Sequence, residues 1–533
     1  LTIVADGTTT FSGAVGATTG LKALITDKQS TDVTKLNAAT VKAVTQTYND
    51  AVTFNSSTFD TSTLTGATVT FGSLVDAEVG SASEKVIINA SGETTFGGNV
   101  GDTTDLLSLT TDLAGSTVIK GTSIDAATQT YNDAVTINGP SSATVVLSGS
   151  TAVKFANTLN SNKTTDSTNL TLDGAGTTTF EGVVGGTGQF AALSAAAGPV
   201  VINTTAITTS GAQTYAAAGT AITIGSTSTL TGTDINLAGV VNADAAANAR
   251  ALTVNASGTT TLGGNVGATT KLGRLTTDSA GTLTLSSVTS NVNATTVTFN
   301  DAVTLGTGTT VTGADINLNA AVTAGANTLT LNGSGTTAIN AAITGTGAIV
   351  TDAAGTTRIG ADVSNTGAAQ TYNDAVLIAA NTTLSGTIIT FADTLNADLA
   401  LNDRVLTIVD AGDTVFTGKV GYSDPLGTLN VTAGTQINVD GGSVDAKTQT
   451  YNQPVEIGAN TVIKATDVTF TGAVSAAVAQ NLTISATGTT TLTAGLTADS
   501  ITDLTIDNGG SVSLGGSVST KGNQVFEDSV TLG

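Results

Sequence analysis

The eleven residues LTVNASGTTTL at positions 252–262 recur, with variations, throughout the chain. The seven copies are LTIVADGTTTF from Leu1, VIINASGETTF from Val86, LTLDGAGTTTF from Leu170, LTVNASGTTTL from Leu252, LTLNGSGTTAI from Leu329, LTIVDAGDTVF from Leu406 and LTISATGTTTL from Leu482. Successive copies of their shared glycine lie 76 to 85 residues apart. Self-similarity at a fixed period is the sequence signature of repeat architectures, so this repeat decides the fold.

Two further blocks keep the same period. The first is QTYNDAV or a variant of it, and it begins at Gln46, Gln129, Gln213, Val297, Gln370, Gln449 and Gln524. The second has the form VTF and ends at Phe71, Phe155, Phe391 and Phe470, with Leu237 and Leu318 in its place elsewhere. The chain begins in one phase of the repeat and stops in another, which predicts that it is a fragment of a longer chain.

Each repeat has the pattern of short β-strands. In LTVNA, Leu252, Val254 and Ala256 alternate with Thr253 and Asn255, a period of two. Gly, Asn, Asp and Ser interrupt these runs every few residues, as turns require. No stretch has a 3.6-residue apolar period with helix caps, so we expect almost no helix.

The spacing of the landmarks predicts coils of about 20 residues, about four to each repeat of about 80 residues. A coil of that length suits a parallel β-helix, and neighbouring coils would bury one continuous thin core. A thin core of this kind explains why aromatic residues that make up only 4% of the chain are enough to fill it. We therefore predict an all-β fold, a parallel β-helix, with residues 1–533 forming one continuous β-solenoid. The alternative is a string of immunoglobulin-like sandwich domains, although the chain has no Trp for such cores.

Composition excludes several classes of function. The 533 residues contain no His and no Cys, which removes zinc sites of those residues, Ser-His-Asp triads, thiol nucleophiles and haem ligation. A formal net charge of -23 predicts repulsion from nucleic acid and from anionic membranes. No apolar run reaches the length of a membrane span, so no membrane insertion is expected.

The recurring aromatic residues could be sugar-stacking platforms or core residues. They are Tyr48, Tyr131, Tyr215, Tyr372 and Tyr451, with Phe299 and Phe526 in the same frame. Phe replaces Tyr twice, which indicates that ring volume matters more than the hydroxyl. Equivalent rings four coils apart would also not form one stacking surface. We predict that they pack in the core.

The acidic residues of the repeat could bind Ca²⁺ or form turns. The Asn-Asp pairs are Asn49-Asp50, Asn132-Asp133, Asn300-Asp301 and Asn373-Asp374, and Asp112, Asp278 and Asp352 stand in TD-x-AG segments. Calcium needs about six to eight oxygens from convergent groups, and equivalent residues four coils apart would not share an ion. We predict Asx turns, and no metal or cofactor site.

The other candidates also favour structure over chemistry. The threonine triplets (Thr8–Thr10, Thr177–Thr179, Thr259–Thr261 and Thr489–Thr491) occur at most once per repeat, too rarely for an ice-binding face, and suit solvated strands. Arg250 and Arg404 both stand two residues before a repeat start, which indicates frame residues. A polysaccharide-cleaving β-helix needs clustered carboxylates that break the repeat, so no catalytic residue is assigned and we expect no enzyme. Asn-x-Ser triplets such as Asn89-Ala90-Ser91 would accept glycans, but nothing in the sequence supports glycosylation.

Residues 252–270 (LTVNASGTTTLGGNVGATT) and 370–386 (QTYNDAVLIAANTTLSG) resemble the strand repeats of very large bacterial secreted proteins. These are the filamentous-haemagglutinin-like and autotransporter-type adhesins. The resemblance covers essentially the whole chain and rests on composition and period. It implies a right-handed parallel β-helix that is exported across a Gram-negative outer membrane and has an adhesive or scaffolding role. The absence of Cys agrees independently, because periplasmic disulfides would hinder export through a pore.

The sequence therefore leads us to expect an extracellular structural rod, the stalk or scaffold of a bacterial surface protein, without catalysis. Its partners would be a host-cell, neighbouring-cell or matrix surface, bound through regions outside this sequence, with possible self-association. The alternative is a filament, surface-layer or extracellular-matrix subunit that assembles with copies of itself.

Overall fold

The computed structural model describes residues 1–27, 32–55, 60–80, 83–162, 168–287, 290–497 and 500–533. The chain forms two compact units, Leu1–Gly273 and Arg274–Gly533, each considered by itself below. About 57% of the residues lie in strands and about 1% in helices. The prediction of an all-β fold with almost no helix is confirmed.

The elements are short and follow one another closely. Strands one to thirty-one are β1 (Thr2–Ile3), β2 (Thr8–Phe11), β3 (Leu21–Thr26), β4 (Val33–Leu36), β5 (Thr40–Tyr48), β6 (Ala51–Phe54), β7 (Thr61–Gly66), β8 (Thr68–Phe71), β9 (Val75–Ala77), β10 (Lys85–Ala90), β11 (Glu93–Phe96), β12 (Leu106–Thr111), β13 (Ser116–Ile119), β14 (Ser123–Tyr131), β15 (Ala134–Ile137), β16 (Thr144–Ser148), β17 (Ala152–Phe155), β18 (Leu159–Ser161), β19 (Asn169–Asp173), β20 (Thr177–Phe180), β21 (Ala192–Ala195), β22 (Val200–Ile202), β23 (Ala206–Thr208), β24 (Gln213–Tyr215), β25 (Ala221–Ile224), β26 (Ser228–Gly232), β27 (Ile235–Leu237), β28 (Val240–Ala243), β29 (Ala251–Ala256), β30 (Thr259–Leu262) and β31 (Leu272–Thr277).

The remaining strands are β32 (Thr282–Leu285), β33 (Ser290–Phe299), β34 (Ala302–Leu305), β35 (Thr309–Gly313), β36 (Asp315–Leu318), β37 (Val322–Gly325), β38 (Leu329–Gly333), β39 (Thr336–Ile339), β40 (Ile343–Gly345), β41 (Ile349–Thr351), β42 (Thr356–Ile359), β43 (Val363–Asn365), β44 (Gln370–Tyr372), β45 (Ala375–Ile378), β46 (Thr382–Gly386), β47 (Ile389–Phe391), β48 (Leu395–Ala397), β49 (Val405–Asp410), β50 (Thr414–Phe416), β51 (Leu426–Thr432), β52 (Ile437–Val439), β53 (Ser443–Tyr451), β54 (Val455–Ile457), β55 (Thr461–Ala465), β56 (Asp467–Phe470), β57 (Val474–Ala476), β58 (Gln480–Ala486), β59 (Thr489–Leu492), β60 (Leu496–Thr497), β61 (Ile501–Asp507), β62 (Ser511–Leu514), β63 (Val518–Ser519), β64 (Gln524–Phe526) and β65 (Ser529–Leu532). The two helices are 3₁₀ turns, η1 (Ala246–Asn248) and η2 (Ala400–Asn402).

Each unit is a parallel β-solenoid whose coils are about 22 residues apart in sequence. In the first unit, the strands stack in three parallel sheets, which we call faces 1, 2 and 3. Face 1 consists, in order, of β1, β3, β5, β8, β11, β13 and β15. Face 2 consists of β7, β10, β12, β14, β17 and β20. Face 3 consists of β16, β19, β21, β24, β27 and β30. The described strand pairs are parallel, which excludes immunoglobulin-like sandwiches, since their strands pair antiparallel.

The sequence repeat is shorter than four coils. Strands β10 and β19 begin successive repeats. The nine strands β10–β18 fill eleven positions on the three faces, because β14 spans two faces and Val100 fills a further position as an isolated bridge. With three positions to a coil, one repeat equals three and two-thirds coils. The repeat-starting strands β1, β10, β19 and β29 therefore lie on faces 1, 2, 3 and 1 in turn. In the second unit, β38, β49 and β58 likewise lie in three different stacks.

The core lies inside the coils and is one or two side chains thick at each strand. Leu252, Val254 and Ala256 on β29 are fully buried, whereas Thr253 and Asn255 point outward, as the alternation predicts. Apolar burial of this kind contributes about 25 cal/mol per Å². Because parallel strands lie about 4.8 Å apart, each inward side chain packs on its counterparts in the coils before and after it.

Candidate functional site

The recurring tyrosines are core residues. The rings of Tyr48, Tyr131, Tyr215, Tyr372 and Tyr451 are fully buried, Phe299 is buried, and Phe526 is half-buried. This confirms the core prediction for the tyrosines and Phe299 and removes the described tyrosines as sugar platforms. Desolvation raises the pKa of each of these tyrosine hydroxyls well above its usual range.

The rings form ladders that join the three sequence blocks. Tyr131 stacks on Phe155 with ring centroids 5.3 Å apart, and Phe155 stacks on Phe180 at 5.9 Å. Tyr372, Phe391 and Phe416 repeat this arrangement at 5.3 and 5.5 Å. The tyrosine, the phenylalanine of VTF and the phenylalanine of TTTF thus occupy one position in three successive coils. Stacked aromatic pairs contribute about 0.5–1.5 kcal/mol each beyond their buried area.

The tyrosine hydroxyl also has a structural partner. The hydroxyl of Tyr131 donates to Oε1 of Gln129 at 3.0 Å, and Nε2 of Gln129 donates to the carbonyl oxygens of Ile124 and Ser148. The same tyrosine-to-glutamine bond occurs in the other four QTY segments. In VTF at 297–299 both partners are replaced together, by Val297 and Phe299, whereas QVF at 524–526 keeps the glutamine and loses only the hydroxyl.

The aspartates of the Asn-Asp pairs accept hydrogen bonds from threonines of the preceding coil. The hydroxyls of Thr111 and Thr117 donate to Asp133 at 2.6 and 2.8 Å, and those of Thr351 and Thr357 donate to Asp374 at the same distances. Asp50 has the same arrangement with Thr26 and Thr34. Burial raises the pKa of Asp133 and of Asp374, and the two hydroxyls act in the opposite direction.

The adjacent asparagines also bond between coils rather than within a turn. Nδ2 of Asn132 donates to the carbonyl oxygen of Thr111 at 2.7 Å, and Nδ2 of Asn373 donates to that of Thr351 at 2.7 Å. Asp112 likewise accepts from the amide of Ala90, 22 residues earlier. The predicted structural role is correct, but the Asx-turn geometry is wrong for these residues, because their partners lie one coil away.

Asp301 departs from this pattern. It is buried, and neither carboxylate oxygen has a hydrogen-bond partner within the described part of the chain. Leu283 occupies the position that Thr117 has beside Asp133, as the pairing of Leu283 with Val303 and of Thr117 with Val135 shows. Burial, with repulsion from Asp278, raises the pKa of Asp301 to about 7.

Asp410 is a second buried carboxylate with few partners. The Thr414 hydroxyl donates to its Oδ2 at 2.6 Å, and the backbone amide of Gly434, like that hydroxyl, opposes the rise in its pKa. Burial raises its pKa to about 6, and Asp413 adds to the shift. Both Asp301 and Asp410 are buried, so neither carboxylate is accessible from solvent as a catalytic group.

The threonine triplets do not form one outward rank. The middle residues Thr178, Thr260 and Thr490 point into the core, whereas Thr177 and Thr179 on either side point outward. The expectation of solvated threonines therefore holds only for the first and third members of those triplets.

Arg250 and Arg404 stabilise two equivalent loops. Nε and Nη2 of Arg250 donate to the two oxygens of Asp244 at 2.9 and 2.8 Å, around the η1 turn. Arg404 holds Asp398 in the same way at 2.8 and 2.9 Å, around η2. The arginines hold the pKa of Asp244 and of Asp398 below the usual range. They are frame residues of a recurring loop, as predicted.

Each of these loops lies against a second loop one coil later, and we call the two together a loop pair. In repeat four the pair consists of residues 244–250 and 267–271, and in repeat six of residues 398–404 and 421–425. The amide of Ala400 donates to Oδ1 of Asp424 at 3.1 Å, and the amide of Ala397 donates to the Asp424 carbonyl at 3.0 Å. In repeat four the amide of Ala243 donates to the carbonyl of Thr270.

The loop pair of repeat six presents three large exposed side chains that the sequence analysis missed. Leu399, Leu401 and Tyr422 are 61, 95 and 64% exposed, and Nζ of Lys419 lies 3.9 Å from the Tyr422 ring centroid. A comparison of DAAANAR at 244–250 with DLALNDR at 398–404 would have revealed the leucines. Their side chains are apolar or aromatic.

The described residues contain no group of three or more His, Cys, Asp or Glu side chains that could hold a metal ion. Across the same residues, no helix has the length and apolar character needed to cross a membrane. In comparisons with known proteins, the chain matches no family model, no curated protein and no solved structure.

Proposed function

We propose that this chain is a structural rod of a large bacterial surface protein, which acts as an adhesin stalk or scaffold outside the cell and without catalysis. The observation that carries the proposal is that the recurring polar and aromatic residues serve contacts between coils. The Tyr-Phe-Phe ladders and the Asp-Thr bonds connect one coil to the next, and the glutamine of each Tyr-Gln pair donates to a carbonyl oxygen of the following coil, as Gln129 does to Ser148.

This use of residues suits a mechanical role. Parallel stacking gives every inner strand two hydrogen-bonded neighbours, and repeat proteins of this kind distribute their stability over many similar interfaces. Opening one coil therefore requires the loss of both backbone hydrogen bonds and ladder contacts. The extracellular location and the adhesive partner come from the resemblance to large secreted adhesins and remain part of the proposal.

Cryo-electron microscopy of the native assembly from its source tests the proposal. Separate narrow rods that project from a cell surface and carry a distinct tip would support a stalk, and the tip would then be searched for a ligand. An intracellular location, or a compact assembly without projecting rods, would contradict it.

A filament subunit is the second candidate, and one observation favours it. The exposed Leu399, Leu401 and Tyr422 form an apolar surface on an otherwise polar loop pair. Ordered contacts between many copies in the same micrographs would make self-assembly the function.

A further inference from the structure

Three asparagines of the chain directly precede a glycine, and the structure distinguishes one of them from the other two. They are Asn138, Asn332 and Asn508. The backbone nitrogen of such a glycine can attack the side-chain carbonyl carbon of the asparagine, because glycine has no side chain to obstruct the five-membered ring that forms. The reaction requires a backbone that is free to rotate, access of water, and a group that removes the amide proton.

Asn508 and Gly509 lie in a bend outside the strands. The bend joins β61 to β62, and both residues are exposed. Asn508 has a φ angle of 105°, beyond the left-handed region of about 50–70° that residues with a side chain ordinarily use. A Cβ atom on Gly509 would have nothing within 4 Å. The bend can therefore rotate and admit water without the loss of a hydrogen bond between strands.

A carboxylate of the next coil contacts the nitrogen that would attack. The Gly509 amide donates to Oδ1 of Asp528 at 2.8 Å. Asp528 is buried, and its Oδ2 has no hydrogen-bond partner among the described residues. A carboxylate within hydrogen-bond distance of the proton that it removes has the position of a general base.

The other two asparagines lack this combination. Gly333 also donates to a carboxylate, Oδ1 of Asp352 at 3.0 Å. However, Asn332 and Gly333 lie within β38 and in register with β35, so rotation there would break the pairing of the strands. Gly139, which follows the third asparagine, is buried, and water has less access to it.

We infer that Asn508 is a site of spontaneous covalent modification, with Asp528 as its general base. Asp528 takes the proton from the Gly509 nitrogen, and that nitrogen forms a bond to Cγ of Asn508. The bond from Cγ to Nδ2 breaks, and Nδ2 leaves as ammonia with the proton that Asp528 returns. Water then opens the succinimide ring at Cγ to give aspartate, or at the backbone carbonyl carbon to give isoaspartate.

Either product adds one negative charge to the bend between β61 and β62, and isoaspartate also adds one carbon to the backbone. This inference goes beyond the proposed function, because a structural rod does not require a covalent change. The whole chain, incubated at neutral pH and mapped by mass spectrometry of its peptides, provides the test. We expect Asn508 to lose ammonia at least about tenfold faster than Asn332 and Asn138 in the folded chain, and the three rates to converge in denaturant.

Three variants test the general base. Asp528→Asn keeps an oxygen that accepts the hydrogen bond but cannot take the proton, so it should slow the reaction of Asn508 at least about tenfold, and only in the folded chain. Asp528→Glu keeps a carboxylate and should react faster than Asp528→Asn. Asp352→Asn changes the equivalent bond at Gly333, and it is the matched control that should leave the rate at Asn508 unchanged.

Hydrogen exchange of β61 and β62 verifies that each variant keeps these coils folded. A folded wild type in which Asn508 reacts no faster than Asn332 would overturn the inference. An Asp528→Asn variant that reacts like wild type would do the same, and equally low rates in Asp528→Asn and Asp528→Glu would contradict the role of the carboxylate.

Discussion

At the scale of single residues, the buried aspartates bond between coils. Asp133 accepts from the hydroxyls of two fully buried threonines, Thr111 and Thr117. We expect Asp133→Ala to destabilise the surrounding coils by about 2 to 3 kcal/mol, because both hydroxyls lose their acceptor. Hydrogen exchange of β12, β13 and β15 measures this local free energy. Asp173→Ala, at an exposed aspartate, is the control and should change protection by less than about 0.5 kcal/mol.

Asp301 predicts a pH dependence that is confined to its own coils. Its pKa of about 7 lies above the ordinary 3.8 of an unfolded chain, so the folded state holds an extra proton between these values. Local stability should therefore be highest below about pH 4, fall as the pH rises to about 7, and stay constant above that. The total change is at most about 4 kcal/mol, and hydrogen exchange corrected for the intrinsic rate measures it.

Two variants separate this explanation from a general effect of pH. Asp301→Asn removes the titrating group and should abolish the local dependence. Leu283→Thr supplies the hydroxyl that Thr117 gives to Asp133 and Thr357 gives to Asp374, so it should lower the pKa of Asp301 and flatten the curve. A pH dependence unchanged in Asp301→Asn would contradict the assignment.

Sequence reasoning identified these residues as structural but gave some of them the wrong partners. Asn132 and Asp112 suit turns by composition, and a period-two pattern contains no signal for a carbonyl or amide about 22 residues away. The coil length has to be known to within one residue before such a partner can be named. The sequence spacing of landmarks gave about 20 residues, close to 22 but not sufficient.

At the scale of elements, the aromatic ladders give a graded prediction. Phe155 is the middle ring between Tyr131 and Phe180. Phe155→Ala should destabilise its coils by about 3 to 5 kcal/mol, because it leaves a cavity between two rings. Phe155→Leu should cost less than about 1.5 kcal/mol, since Leu237 occupies the same position above Tyr215. Denaturant unfolding with hydrogen-exchange detection distinguishes the two, and equal effects would contradict the ladder.

Two glycines beside strands allow the cost of a positive φ angle to be measured separately from the cost of a steric clash. Gly115 and Gly219 have almost equal φ angles of 81° and 82°. A Cβ atom on Gly115 would lie 1.8 Å from the Gly92 carbonyl oxygen, whereas nothing lies within 4 Å of one on Gly219. Gly219→Ala should therefore cost about 1 kcal/mol from the left-handed conformation alone. Gly115→Ala should cost at least twice that in the same unfolding measurement, and similar values would show that the close approach relaxes.

The elements themselves were the most predictable part of the molecule. The alternation of Leu252, Val254 and Ala256 identified β29 and its inward face correctly. The loop pairs were not predicted, because their residues follow no strand period. The exposed Leu399, Leu401 and Tyr422 are visible only when repeat six is compared with repeat four position by position.

At the scale of the whole molecule, the repeat and the coil have different lengths. Deletion of residues 86–169 removes one repeat, eleven strand positions, and joins equivalent points of the pattern. We expect the thermal midpoint to change by less than about 5 °C, because each remaining interface has a counterpart of the same type. Calorimetry of the shortened chain measures it.

Deletion of residues 86–108 is the contrasting change. It removes one coil and keeps the strand register, since Val86 pairs with Leu109, but it takes Phe96 from its ladder. The midpoint should fall further than after loss of a whole repeat, although fewer residues are missing. The reverse order would show that the coil, not the repeat, is the unit of stability.

The ratio of three and two-thirds coils per repeat also has a genetic consequence. Unequal recombination between copies of a repetitive gene gains or loses whole repeats, not single coils. Each such event would preserve the hydrogen-bond register while it redirects everything beyond it by about a third of the circumference. Alleles that differ by one or two repeats would aim their distal surfaces differently, and alleles that differ by three would aim them alike. Copy number would thus be an inherited control of direction as well as of reach.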